Sequence, residues 1–133
     1  RAWMTDHPDQ RQALMNLNPS YVFFNTRKDG GARGARNMEL TAGRSLAVDP
    51  SFVPLGVPLW LEARNVPVAG GQLKRLVVAQ DTGGAIRGAV RGDLFWGHGP
   101  GAEEGAGVMK ARGRYTMLVP RSIAPIYAAA RTP

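Results

Sequence analysis

Two carboxylates, Asp81 and Asp93, bracket a glycine-rich link in the stretch Asp81-Thr82-Gly83-Gly84-Ala85-Ile86-Arg87-Gly88-Ala89-Val90-Arg91-Gly92-Asp93. Each adjoins an apolar run of strand-forming residues: Leu76-Val77-Val78-Ala79 leads toward Asp81, and Leu94-Phe95-Trp96 follows Asp93. A carboxylate at the end of a buried strand loses water on one side, which disfavours its charged form, and a second carboxylate nearby adds repulsion. Either effect can keep one proton on at neutral pH, the condition a general acid must meet. Phe95 and Trp96 are the candidate low-dielectric wall.

Other readings of the same residues stand beside this one. An Asp ahead of Thr-Gly commonly accepts from backbone N–H groups of its own turn, and glycines commonly serve tight turns. The glycines form no phosphate loop, since no Gly-Lys-Ser/Thr follows. Asp81-Thr82-Gly83 after an apolar strand also has the form of an aspartic protease half-site, where two such loops share a proton. One Asp-Thr-Gly would require a homodimer, the apolar-apolar-Gly support expected downstream is missing, and Asp93 would go unexplained.

The remaining composition narrows the chemistry. With no Cys there is neither a thiol nucleophile nor a Cys-ligated zinc site, and His7 and His98 lack metal-ligand spacing. No apolar run is long enough to span a bilayer. The chain opens on Arg1 without a basic-then-apolar leader, which predicts a processed form or a piece of something longer. Seventeen Lys and Arg against 10 Asp and Glu give a net charge of +7, which attracts polyanions such as nucleic acid, acidic lipid or an anionic wall glycan. The cations are scattered apart from Arg27, Lys28, Arg33 and Arg36, and no basic strand interleaved with aromatics marks a nucleic-acid partner.

The elements that must position the two carboxylates are short. At 133 residues the chain suits one domain with one modest core. Pro8 behind Thr5 and Asp6, then Ala13, Leu14 and Leu17 at three-to-four spacing, predict one N-terminal helix within 1–18, ended by Asn18-Pro19. Tyr21-Val22-Phe23-Phe24 predicts a buried strand, and 27–36 a glycine-rich loop. Further strands are expected at 45–48, 57–62, 76–79, 94–96 and 115–119, with a small helix over 102–110 and a short helix or frayed tail in 121–133. Five or six short strands without β-α alternation point to a mainly β, small closed barrel filling 1–133 as a single domain.

The order of these stretches resembles the C-terminal part of the membrane-bound lytic murein transglycosylase A family, including its three-aspartate (3D) domain. Asn18-Pro19-Ser20-Tyr21-Val22-Phe23-Phe24, Arg44-Ser45-Leu46-Ala47-Val48-Asp49, Val53-Pro54-Leu55-Gly56, the run from Asp81 through Gly88, Arg91-Gly92-Asp93-Leu94-Phe95-Trp96-Gly97 and Gly113-Arg114-Tyr115 carry it. The resemblance implies a six-stranded double-psi β-barrel with one or two short helices, acting on peptidoglycan glycan strands. It implies Asp93 as the catalytic acid, Asp81 as its neighbour in the groove, and Asp49 as a residue supporting the fold or the site from behind. It implies substrate contact through the small residues around Thr82, Gly83, Gly84 and Ala85, which offer backbone groups without bulk. No metal or organic cofactor is required by this chemistry. Family members are longer, so an upstream part of the same protein is expected to complete the groove. The expected location is the periplasmic cell envelope, with outer-membrane anchoring through an upstream lipoprotein segment. A non-catalytic glycan-binding barrel is the alternative of another class.

Overall fold

The computed structural model describes residues 2–20, 30–66 and 70–129. Along the chain these form α1 (Ala2–Asp6), α2 (Arg11–Asn16), β1 (Ser45–Val48), β2 (Pro58–Val66), β3 (Gly71–Asp81), β4 (Gly92–Leu94), α3 (Pro100–Val108), β5 (Arg112–Met117) and α4 (Ala124–Ala129). The five strands make one sheet in the order β4-β1-β3-β2-β5. The molecule is therefore mainly β with short helices. The strand expected at Tyr21-Val22-Phe23-Phe24 and the start of the 27–36 loop lie outside the described residues.

β1 is the keystone. It pairs in parallel with β3 and antiparallel with β4, and all four of its residues are buried. A strand covered on both faces reads as an unbroken apolar run, and Ser45-Leu46-Ala47-Val48 is close to one. Its single hydroxyl is satisfied: Ser45 Oγ donates to Gln80 Oε1 at 2.5 Å and accepts from the Thr41 N–H at 2.8 Å. β2 instead alternates, with Leu59, Leu61 and Ala63 inward and Trp60 and Arg64 outward, as a strand with one solvated face must. Leu46, Val48, Val53, Leu59, Leu61, Ala63, Val66, Leu73, Val77 and Ala79 form the core.

The N-terminal helix expected within 1–18 is two helices. Pro8 disfavours helical backbone at His7, so α1 stops at Asp6, and Thr5 and Asp6 lie inside it rather than capping α2. Leu14 and Leu17 of the expected apolar stripe are exposed. Helix α3 keeps its place because Gly105 lies flat on the Trp96 ring: a Cβ there would fall 2.8 Å from Trp96 Cε3. Gly105→Ala is expected to lower unfolding free energy by about 1 kcal/mol. The overpacking penalty of about 1–3 kcal/mol outweighs the gain in helix propensity of about 1 kcal/mol. Denaturant titration followed by tryptophan emission checks this, and a shifted native emission maximum should accompany the loss.

Candidate active site

The site forms where β3, β1 and β4 end together. Ala47 of β1 is paired with Asp81 on one side and with Asp93 on the other, so both aspartates occupy the same row of the sheet. They stand two strand spacings apart, about 9–10 Å between backbones. The connection between them, residues 82–91, crosses the end of β1 and is tied down at three points. Ile86 is buried. The Gly88 N–H donates to Asp49 Oδ2 at 2.8 Å. The Tyr115 hydroxyl donates to the Ala89 carbonyl.

Asp49 is the anchor of this loop. It is 4% exposed, and its other oxygen accepts from the Ser51 N–H at 3.0 Å. The backbone donors at Gly88 and Ser51 hold its carboxyl below the ordinary value of 3.8, against the opposing effect of burial. A carboxylate with a depressed folded-state value contributes stability that is complete above its unfolded value and is lost as pH falls through the folded one. Asp49→Asn is therefore expected to melt lower at neutral pH, with the gap to wild type closing below about pH 4. Melting temperatures taken across the range from about pH 2.5 to about pH 7 check the convergence.

Asp93 lies on β4, about half exposed, and lines a cavity of about 680 Å³. Both of its carboxylate oxygens accept from one guanidinium: Arg91 Nε to Oδ1 at 2.7 Å and Nη2 to Oδ2 at 3.2 Å. The same contact raises Arg91 above its ordinary value, first through the hydrogen bond and then through charge. Leu46, Leu61, Leu94 and Trp96 are among the apolar residues of the cavity wall, and Met109, Lys110, Gly113, Arg114 and Tyr115 line it too. Three cations, Arg91, Lys110 and Arg114, thus line the same cavity as Asp93. Arg114 is held by Glu62 at 2.5 Å, which also draws the Glu62 carboxyl below its usual range. A second cavity of about 470 Å³, walled by Phe52, Val53 and Met117, shares Val90, Gly113, Arg114 and Tyr115 with the first. The two thus share residues of β5 in their walls.

The other expected site residues fall on the far side of Ala47. Asp81 is half-buried at the end of β3. Thr82, Gly84 and Ala85 are exposed on the loop, with Gly83 packed over Ile86. None of these five lines the Asp93 cavity. Of the aromatic wall, Trp96 lines it and Phe95 does not. Sequence reasoning missed Lys110, Arg114 and Tyr115, which arrive from β5 and its approach, and it missed Arg91 as the partner of Asp93. Only Arg91 had a local signal, two residues from Asp93 and hence on the same side of an extended chain. Among the described residues no group of three or more His, Cys, Asp or Glu is placed to hold a metal ion.

The fold is thus a small β-sheet domain that sets two aspartates on one row, one of them, Asp93, on the wall of a cavity also lined by cations. Residues 44–119 match the 3D domain family, more than half of the chain, and the chain belongs to that family. It is 35% identical over 123 residues to membrane-bound lytic murein transglycosylase A of Escherichia coli K12, covering 89% of this chain and 33% of that protein. Among solved structures it resembles the membrane-bound lytic murein transglycosylase from Agrobacterium tumefaciens, with a TM-score of 0.82 and 37% identity, covering 96% of this chain and 36% of that one. E. coli MltA with bound chitohexaose superposes with a TM-score of 0.75 at 34% identity, over 86% of this chain and 36% of that one. The chain thus spans about a third of the length of the relatives it matches.

Proposed function

We propose that this domain carries the acid of a peptidoglycan lytic transglycosylase, with Asp93 as that acid. The observation that carries the reading is the position of Asp93 on the wall of a cleft that shares lining residues with a second, more apolar one, in a chain related to lytic murein transglycosylases. Two neighbouring cavities suit successive units of a polymer, and the surplus of cations suits a wall polymer bearing carboxylates. The relative solved with chitohexaose supports a glycan as occupant.

Ordinary glycosidases use two carboxylates, one to protonate the leaving oxygen and one to activate water or attack the sugar. Here one suffices. Asp93 gives its proton to the oxygen joining N-acetylmuramic acid to N-acetylglucosamine, and the bond from that oxygen to C1 breaks. Positive charge builds on the muramyl ring. The same carboxylate then takes the proton of the ring's C6 hydroxyl, whose oxygen closes on C1. The product is a 1,6-anhydromuramyl end, no water is consumed, and Asp93 finishes protonated as it began. Tethering the nucleophile to the reacting ring supplies the proximity advantage.

Asp81, across Ala47, shapes the field at Asp93, and Thr82, Gly83, Gly84 and Ala85 meet the glycan beyond it. A six-stranded double-psi β-barrel is the finer form of the fold in this reading, supported by the match to the 3D domain family. The second wall of the groove is read as coming from protein outside this sequence, because the chain spans a third of its relatives. The kinship with membrane-bound transglycosylases supports a location in the cell envelope, and we read the protein as facing the periplasm with a lipoprotein segment as its anchor. Among the described residues no helix is long and apolar enough to cross a membrane.

Co-sedimentation with purified peptidoglycan tests the reading. The full-length protein is expected to bind and release soluble fragments, and its Asp93→Asn form to bind and release none. Binding without release by both forms would instead make this a glycan-binding barrel.

A further inference from the structure

Arg91 occupies the position that the proposed chemistry needs vacant. Both oxygens of Asp93 are engaged by its guanidinium, so in this arrangement neither is free to carry a proton toward a sugar oxygen. Yet the pair is half exposed on each side, 53% for Arg91 and 49% for Asp93, and exposed ion pairs are readily exchanged for other partners. A bidentate guanidinium is selective in what it accepts instead: another planar carboxylate matches its fork, whereas a hydroxyl or an amide does not.

The surroundings favour such an exchange. Lys110, from the approach to β5, lines the same cavity and has no ion-pair or hydrogen-bond partner among the described residues. Arg114, from β5, lines it too, already neutralised by Glu62 of β2. The other carboxylate on the row, Asp81 of β3, lies beyond Ala47 and outside the cavity. A carboxylate entering the cleft therefore meets two cations, Arg91 and Lys110, with Asp93 as the competitor for them.

We propose that Arg91 is a positioning residue that guards Asp93 in the resting protein and is drawn off by a carboxylate of the substrate. The inference rests on the reading of Asp93 as the acid. It assigns the cleft a preference for glycan strands that bear free carboxylates, such as the lactyl groups of muramyl residues stripped of peptide. The carboxylate takes the guanidinium, Lys110 supports it, and Asp93 is released to bind the proton it will donate. A bond opens more readily where a carboxylate is seated, which couples recognition to the chemical step.

Binding, rather than turnover, separates this from the catalytic reading. Affinities of the full-length protein are measured for muramyl glycan strands with free lactyl carboxylates and for the same strands with those carboxylates converted to methylamides. Asp93→Ala removes the competitor for Arg91, so it is expected to bind the acidic strands about fivefold tighter than wild type and the amidated strands no better. In the Arg91→Gln background the same change at Asp93 is expected to bring no gain. Arg91→Lys, which keeps the charge and loses the fork, should restore only part of it. A gain that persists without Arg91, or no gain at all, overturns the proposal. Acidic strands that bind with the expected coupling but are never cut would leave the guard standing as a binding switch and remove Asp93 as the acid. Strands that no form of the protein binds would remove both.

Discussion

Asp93→Asn is expected to lower the rate of peptidoglycan solubilisation by about a thousandfold, within the range that a positioned proton donor contributes. The amide matches the carboxyl in size and keeps an acceptor for Arg91, but it has no acidic proton to give and cannot receive one from the C6 hydroxyl. Because the Asp93 side chain is about half exposed on the short edge strand β4, the substitution is expected to leave the fold intact. Its melting temperature should fall within about 2 °C of wild type, as surface changes away from packing usually do. Turbidity of a peptidoglycan suspension gives the rate, and circular dichroism the fold. Activity within about tenfold of wild type would move the acid to another residue.

The second large effect is in the core beneath the site. Leu46 is 2% exposed, sits opposite Leu94 in the ladder and walls the Asp93 cavity. Its Cδ2 lies so near Gly92 that a Cβ there would be 3.1 Å away. Leu46→Ala is expected to cost about 2–5 kcal/mol, the transfer term plus the cavity left behind. That is a large share of the roughly 5–15 kcal/mol typical of a whole domain. Activity should fall further than the folded fraction does, because β4 loses the side chain that holds Asp93 against β1. Urea denaturation with parallel rate measurements checks both halves. Leu46→Ile, which conserves volume, should lose less than about 1.5 kcal/mol.

What the sequence made legible divides along a physical line. β1 was readable to the residue because burial on both faces leaves no charged interruption between Arg44 and Asp49-Pro50. The buried part of β3 was readable for the same reason, but not its extension to Gly71, where Gln72, Lys74 and Arg75 break the apolar run. That extension is fixed by pairing with β2, in which Glu62 faces Lys74 and Leu61 faces Arg75. β4 shows the same limit in the other direction. Phe95 and Trp96 look like strand residues, yet the strand is Gly92–Leu94 because register with β1 sets it, and Trp96 turns away to meet Gly105 of α3.

The site was legible in its acids and not in its cations. Asp49, Asp81 and Asp93 adjoin apolar runs bounded by Gly or Pro, and the structure puts the last two on one row through Ala47. Lys110 and Arg114 reach the cavity only because β5 returns to the edge of β2, a contact between distant parts of the chain with no local trace. The expectation of Phe95 and Trp96 as a low-dielectric wall named no ionic partner for Asp93, although the spacing of Arg91 was visible.

In the reaction proposed for Asp93 the C6 hydroxyl, and not water, closes on the muramyl carbon. Digestion of purified peptidoglycan by the full-length protein in heavy-oxygen water, with mass spectrometry of the released muropeptides, tests it directly. Closure by the ring's own hydroxyl predicts anhydromuramyl ends one water lighter than hydrolysis products and free of the heavy isotope. Reducing ends that carry heavy oxygen would contradict it and make the protein a hydrolase.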